Sequence, residues 1–306
     1  MKAGWLLLLL GLVLAGCLAE PQLKTVKLSD IEAERPRTAT SPADGRVLRL
    51  AVAPVWSPRE SLNIYQDFAL YLGRRLGRPA ELVQGKTYAE INDLVRSGDL
   101  ALAIVCTNAY LEGQEDFGME ALAVPQVHGE TVYYSYLLVP QDSPAQSLTD
   151  LKGRTFAFSD PLSNSGRLVV VYQLQQLGYT PESFFQRYIF TYSHDNSIQA
   201  VQKHLVDGAA VDSLVYDFMA TRNPELAAAT RIIARWGPYG INPVVVHPRL
   251  DPALKAQLQG LLLTLHEVPE GAAILQGMGI DRFVLPDERL YDSVRVMRTQ
   301  VRRLQR

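Results

Sequence analysis

The stretch Thr155-Phe156-Ala157-Phe158-Ser159-Asp160-Pro161-Leu162-Ser163-Asn164-Ser165-Gly166 reads as a short apolar strand, a polar turn and the opening of a helix. Thr155 to Phe158 predicts the strand, and the segment from Asp160 to Gly166 runs into a helix ending at Gly178. Serine and asparagine at a helix start supply hydroxyl and amide donors, and the first turn leaves backbone N–H groups free. With the positive end of the helix dipole, Ser163, Asn164 and Ser165 can hold an oxyanion without lysine or arginine. The same residues also fit a polar turn with an ordinary N-cap.

Outward from this turn, short apolar runs alternate with longer amphipathic ones, the signature of an α/β protein. Strands are predicted at Val47–Val52, Ala80–Val83, Leu100–Cys106, Tyr133–Pro140, Tyr188–Thr191, Gly208–Val211 and Pro243–Val246. Helices are predicted over Glu60–Leu76 and Thr87–Ser97, from near Asn108, over Asn196–Leu205, and through most of the chain after Pro252. Two crossings, near 133–140 and 238–246, predict two lobes joined by two hinge strands. The expected division is a first lobe over 46–136, a second over 137–240, and a return to the first with C-terminal helices over 241–306. Such lobes hinge shut on a ligand, and open α/β sheets present ligand sites where strands end and helices begin.

The N-terminus carries a separate message. Lys2 precedes an apolar run, Trp5 to Leu14, too short to span a bilayer but long enough for a signal-peptide core. It ends in Leu14-Ala15-Gly16-Cys17, the pattern of a lipoprotein signal peptide. The reading is a signal peptide over 1–16, lipid attachment at Cys17, and a Pro-punctuated tether over 17–45. The folded part is then expected outside the cytoplasm, anchored to a membrane. Cys106 is the only other cysteine, so lipidation of Cys17 leaves it without a disulfide partner.

Three more helix starts bear polar side chains. Ser193-His194-Asp195-Asn196 offers His194 either as a donor to an anion or as a packed cap. Cys106-Thr107-Asn108-Ala109-Tyr110 and Thr87-Tyr88 supply Cys106, Thr107, Tyr110 and Tyr88, each equally readable as core with a polar tip. Enzymatic patterns fail: Gly85-Lys86-Thr87 lacks the first glycine of a phosphate-binding loop, and no G-x-S-x-G elbow occurs. The other histidines show no metal-ligand spacing, and no cofactor is implied. A net charge of -2 with no basic stripe excludes a nucleic-acid binder.

From about Val47 to Met297 the chain resembles the phosphate/phosphite/phosphonate-binding proteins of ABC transporters, the PhnD-like periplasmic binding proteins. The resemblance rests on pieces in one order: Tyr71-Leu72 through Leu76-Gly77, Tyr88-Ala89, Asp142 to Phe158, Asp160-Pro161 through Ser165-Gly166, Pro181 to Phe185, Ser193-His194-Asp195, Val206 to Ser213, and Glu270-Gly271. It implies a two-lobed type II periplasmic binding fold, a monomer serving a permease and an ATPase, and no catalysis. It also implies roles: Ser163 and Ser165 in the anion loop with Asn164 replacing a threonine, His194, Tyr88 and Tyr134 in the cleft, and Asp212 facing the ligand. Where relatives that bind aminoalkylphosphonates carry acids for the ammonium, this chain has Leu214 and Asn242. A buried ammonium without a carboxylate is costly, so the expected ligand is phosphate, phosphite or a small neutral-tailed phosphonate. A sharper alternative is arsenite sensing with a histidine kinase as partner. It draws on Cys106, since a thiol at a helix start tends to a lowered pKa and suits trivalent arsenic; the plainer reading makes Cys106 a small buried apolar residue.

Overall fold

The computed structural model describes residues 47–304; the expected signal peptide, lipid attachment at Cys17 and tether lie outside the described residues. Strand β1 (Leu48–Val52) leads to helix α1 (Pro58–Arg75), then β2 (Ala80–Gln84), α2 (Tyr88–Ser97), β3 (Leu102–Ile104), α3 (Thr107–Phe117) and β4 (Glu120–Gln126). Local chemistry sets the ends of these helices. Pro58 opens α1 where its missing N–H is no loss. The Thr87 hydroxyl accepts from the Glu90 N–H at 3.2 Å, a cap that contributes about 1 kcal/mol. Gly98 ends α2 in the left-handed region that only glycine adopts freely.

The chain then builds a second sheet from β5 (Val132–Pro140), β6 (Thr155–Phe158), β7 (Arg187–Phe190), β8 (Gly208–Asp212) and β9 (Thr230–Gly240). Between them lie α4 (Val169–Gln176), α5 (Pro181–Phe184), α6 (His194–Gln202), α7 (Ser213–Arg222) and α8 (Pro224–Ala229). It returns through β10 (Val244–Val246), α9 (Pro252–Leu263), α10 (Pro269–Met278) and β11 (Arg282–Val284), and ends in α11 (Asp292–Leu304). The strand order is β11-β4-β10-β3-β1-β2 in one sheet and β7-β6-β8-β5-β9 in the other. The two-lobed α/β expectation is what forms.

Two boundaries move. All of β5 pairs with β8 and β9, so the first crossing is residues 127–131, upstream of the expected division after 136. The reason is that Leu137, Leu138 and Val139 are all buried, so no alternation marks where the run enters its sheet. The helix α11 does not belong to the first lobe alone. Arg298 donates to the Asn108 carbonyl at 2.8 Å and pairs with Glu112 and Glu115 of α3, while Gln175 of α4 donates to the Val301 carbonyl at 3.3 Å. One helix therefore ties both lobes.

Packing also runs across the cleft. A single buried cluster includes Ala51, Tyr88, Cys106 and Ala109 from the first lobe with Tyr133, Ala157, Val169 and Val211 from the second. The lobes are closed on one another, and what they enclose is the region of interest.

Candidate functional site

The Ser163–Gly166 turn is wider than a regular helix start. Leu168 N–H donates to the Ser163 carbonyl at 3.0 Å and Val169 N–H to the Asn164 carbonyl, so Asn164–Leu168 is a π-helical turn. Ser163 Oγ holds the turn by accepting from Gly166 N–H at 3.0 Å. Glycine is required at 166 by close approach: a Cβ there would stand 1.9 Å from Ser159 Oγ and 3.0 Å from His194 Cε1. The turn thus brings Ser159, Ser163 and His194 together.

His194 opens α6, whose cap is the Ser193 hydroxyl accepting from Asn196 N–H at 3.3 Å. Its Nδ1 accepts from Asp212 N–H at 3.1 Å, and Ser163 Oγ lies 3.5 Å from Nε2. Burial depresses its pKa to about 3. The ring is therefore neutral with its proton on Nε2, a donor facing the turn.

The first lobe presses donors and acceptors against this turn. Tyr88 N–H donates to Asp160 Oδ2 at 3.1 Å, Asn108 Nδ2 to the Leu162 carbonyl at 2.9 Å, and Asn164 N–H to Cys106 Sγ at 3.4 Å. Further out, Ser57 N–H donates to Asp195 Oδ1 at 2.8 Å and His194 N–H to the Val55 carbonyl at 2.9 Å. Inside this seal, five buried polar atoms have no partner: Tyr88 Oη, Ser159 Oγ, Asn164 Oδ1, Ser165 Oγ and Asp195 Oδ2. Leaving a buried polar group unpaired costs about 1–3 kcal/mol. Three of the five are hydroxyls, and with His194 Nε2–H they form a set of neutral donors suited to an oxyanion.

Two of the acids nearby, Asp160 and Asp212, are engaged by backbone N–H groups. Asp160, buried, spends its carboxylate on the Leu162 N–H at 2.7 Å and on Tyr88 N–H. Asp212 caps α7 through Leu214 N–H at 2.8 Å, and Asn242 Nδ2 reaches its other oxygen at 3.4 Å. Burial pushes the Asp212 pKa up to about 7. A carboxyl near neutrality weakens the repulsion it would otherwise offer an anion.

Of the residues singled out in the sequence, Ser163, Asn164, Ser165, His194, Tyr88, Cys106 and Asp212 are brought together. Three are not. Tyr134 packs its ring under the Arg235 guanidinium at 3.5 Å, and it is Tyr133 that turns inward, its hydroxyl accepting from Asn164 Nδ2 at 2.9 Å. Strand alternation separates the two, and the apolar run gives no clue to its parity. Tyr110 donates instead to Glu288 at 2.5 Å, in a network with Gln114 and Arg295. The Thr107 hydroxyl is committed to the Gly240 carbonyl at 2.7 Å. The expected low pKa of Cys106 is reversed: burial pushes the thiol up to about 11, against the smaller lowering effect of Asn164 and Asn108 N–H groups. Ser159 and Tyr133 were missed, Ser159 because a lone serine after a strand carries no signal until Gly166 lets it approach.

Two α/β lobes, crossed by two connections and closed over neutral donors at strand ends, form the two-lobed fold of the type II periplasmic binding proteins. The family model for the periplasmic substrate-binding protein of phosphonate ABC transporters matches residues 50–291, and the chain belongs to that family. It is 27% identical over 244 residues to the phosphonates-binding periplasmic protein of Escherichia coli K12, a match covering 74% of this chain and 65% of that one. The chain thus spans just under two thirds of that relative's length. A binding protein component of a phosphonate ABC transporter from Pseudomonas aeruginosa superposes with a TM-score of 0.79 at 22% identity, covering 84% of this chain and 87% of the other. A Prochlorococcus marinus protein solved with methylphosphonate gives 0.76 at 20%, covering 84% and 98%. These structures share the fold.

Proposed function

We propose that this chain is the solute-binding component of an ABC importer, capturing a small phosphorus oxyanion between its lobes and delivering it to a permease and ATPase. The observation that carries the reading is the group of unpaired buried hydroxyls, Tyr88, Ser159 and Ser165, beside the neutral His194 Nε2–H. Buried neutral donors bind an oxyanion by direct hydrogen bonds at the start of a helical turn. Arg167, in the same turn, is directed to the Pro161 carbonyl at 3.2 Å. Phosphate, phosphite and neutral-tailed phosphonates fit this chemistry better than an aminophosphonate, because Leu214 and Asn242 offer no charge to an ammonium. The relatives are transport proteins, which favours import over kinase signalling. The raised pKa of Cys106 speaks against a thiolate ligand for arsenite.

The lipobox at Leu14–Cys17 supports attachment of the monomeric chain to a membrane outside the cytoplasm. No chemical step is assigned, since the buried groups pair as donors and acceptors rather than as nucleophile and base. A thermal-shift panel on the full chain tests the reading with phosphate, phosphite, methylphosphonate, aminoethylphosphonate, sulfate and arsenite. A ligand at 100 times its Kd adds about 2.7 kcal/mol, a shift of several degrees. A shift with a phosphorus oxyanion, lost in Ser165→Ala, is expected; a shift with arsenite alone would overturn the reading.

A further inference from the structure

Beside the donor cluster lies a cavity of about 300 Å³ that the oxyanion reading does not use. Its apolar walls include Val55, Trp56, Tyr65 and Phe283 from the first lobe and Leu214 and Phe218 from the second. Trp56 and Phe218 meet edge to face at 5.2 Å, so an aromatic contact across the cleft forms part of its boundary. Asp212 and Asn242 also line it. These two connect it to the donor cluster, because Asp212 N–H holds the His194 ring and Asn242 holds both Asp212 and Thr107.

The cavity also meets charged groups, each already in contact with a neighbour. The Asp217 carboxyl accepts from the Tyr136 hydroxyl at 3.3 Å, and burial raises its pKa against the smaller lowering effects of that bond and of Arg235 and His128. Arg222 lies over the Phe218 ring at 3.5 Å. Asp212 is occupied by Leu214 N–H and Asn242. Most of the remaining wall is apolar side chains, which an apolar group satisfies. A dry apolar cavity of about 150 Å³ suffices for benzene. A methyl group would leave most of this one unfilled.

Resting on the oxyanion reading above, we propose that the cavity is a subsite for the organic substituent of the ligand, and that the chain selects phosphonates with an apolar tail of several carbons, such as a butyl or phenyl group. The tail fills the space between Trp56, Leu214 and Phe218 while the phosphonate oxygens meet Ser159, Ser165, Tyr88 and His194. Filling it also buries apolar surface from both lobes, so a longer tail stabilises the closed form.

The test is calorimetric titration of the full chain with methyl-, propyl-, butyl-, phenyl- and 2-aminoethylphosphonate. Each added methylene is expected to tighten binding about fourfold, placing butylphosphonate at least tenfold below methylphosphonate in Kd, with aminoethylphosphonate weaker than propylphosphonate. Leu214→Glu should reverse the order of those last two. Binding of methylphosphonate with equal or falling affinity along the series overturns this inference and leaves the oxyanion reading standing. Failure of every phosphonate while phosphate or phosphite binds likewise overturns only this inference; failure of phosphate and phosphite too overturns both.

Discussion

Asp212 donates its backbone N–H to His194 Nδ1 at 3.1 Å, and that one bond leaves the imidazole proton on Nε2, toward Ser163. The same residue presents a carboxyl whose pKa burial has raised to about 7, whereas burial lowers that of His194 to about 3. Position 212 thus fixes a neutral donor through its backbone and brings a titrating acid through its side chain.

Ligand affinity should accordingly fall as pH rises through about 7. Ionising Asp212 adds a charge beside the donor cluster, while Tyr88, Tyr133 and Cys106, which face it, stay neutral because burial raises each of them. Asp160 and Asp217 contribute further negative field nearby. Calorimetric Kd values from pH 5 to 9 should rise by up to about tenfold per unit above 7. Asp212→Asn should remove that component, and the difference between the two profiles cancels the titration of the ligand itself. Parallel profiles would show that Asp212 does not sense the anion.

Stability follows the same two groups with opposite signs. His194, depressed from 6.5 to about 3, contributes stability present above pH 6.5 and lost as pH falls toward 3. Asp212, raised from 3.8 to about 7, contributes stability that is full below 3.8 and lost as pH rises to 7. Between about pH 4 and 6.5 the slopes oppose each other. Urea unfolding of Asp212→Asn should therefore show stability rising more steeply over this window than in the native chain. An unchanged slope would mean that the pair does not govern the acid limb.

Ser165→Ala should separate binding from stability. Ser165 Oγ is buried and unpaired, so its removal takes no hydrogen bond from the ligand-free chain and relieves a group that costs about 1–3 kcal/mol. Unfolding midpoints should hold or rise. Oxyanion affinity should fall about tenfold or more, the worth of a hydrogen bond to a charged acceptor. Ser163→Ala should behave differently, losing stability as well, because Ser163 Oγ holds Gly166 N–H. Equal stability losses in both variants would place Ser165 in the architecture of the turn.

What the sequence revealed was what short range decides. The strand, turn and helix at Thr155–Gly166 are local, so their order and the donors at 163–165 could be read directly. The π-helical form of the turn could not, because Cys106, Tyr133 and Ser135 hold it from distant segments. Strand β4 went unread because Pro125 interrupts it, and β9 because Gly237-Pro238 resembles a breaker. Tyr134 is what the resemblance implies for the cleft, whereas the pleat of β5 buries Tyr133 and turns it toward Asn164. The seal over the site, made by Ser57 with Asp195 and by Asn108 with Leu162, joins residues too far apart in sequence for any spacing rule.

Cys106 shows the same contest between local and distant effects, and it yields the last prediction. A position at the start of α3 favours the thiolate, yet enclosure by both lobes wins and pushes the thiol up to about 11. At pH 8 the thiolate fraction is then on the order of one in a thousand. Peptide-level mass spectrometry of the native full chain treated with a maleimide should find Cys106 modified at least a hundredfold more slowly than in urea. Arsenite should leave both this rate and the melting point unchanged. Protection that ligand increases further would show that Cys106 is reached only when the lobes part, as its contact with Asn164 N–H across the cleft requires. Rapid labelling of the closed, ligand-bound chain would contradict the burial on which its raised pKa depends.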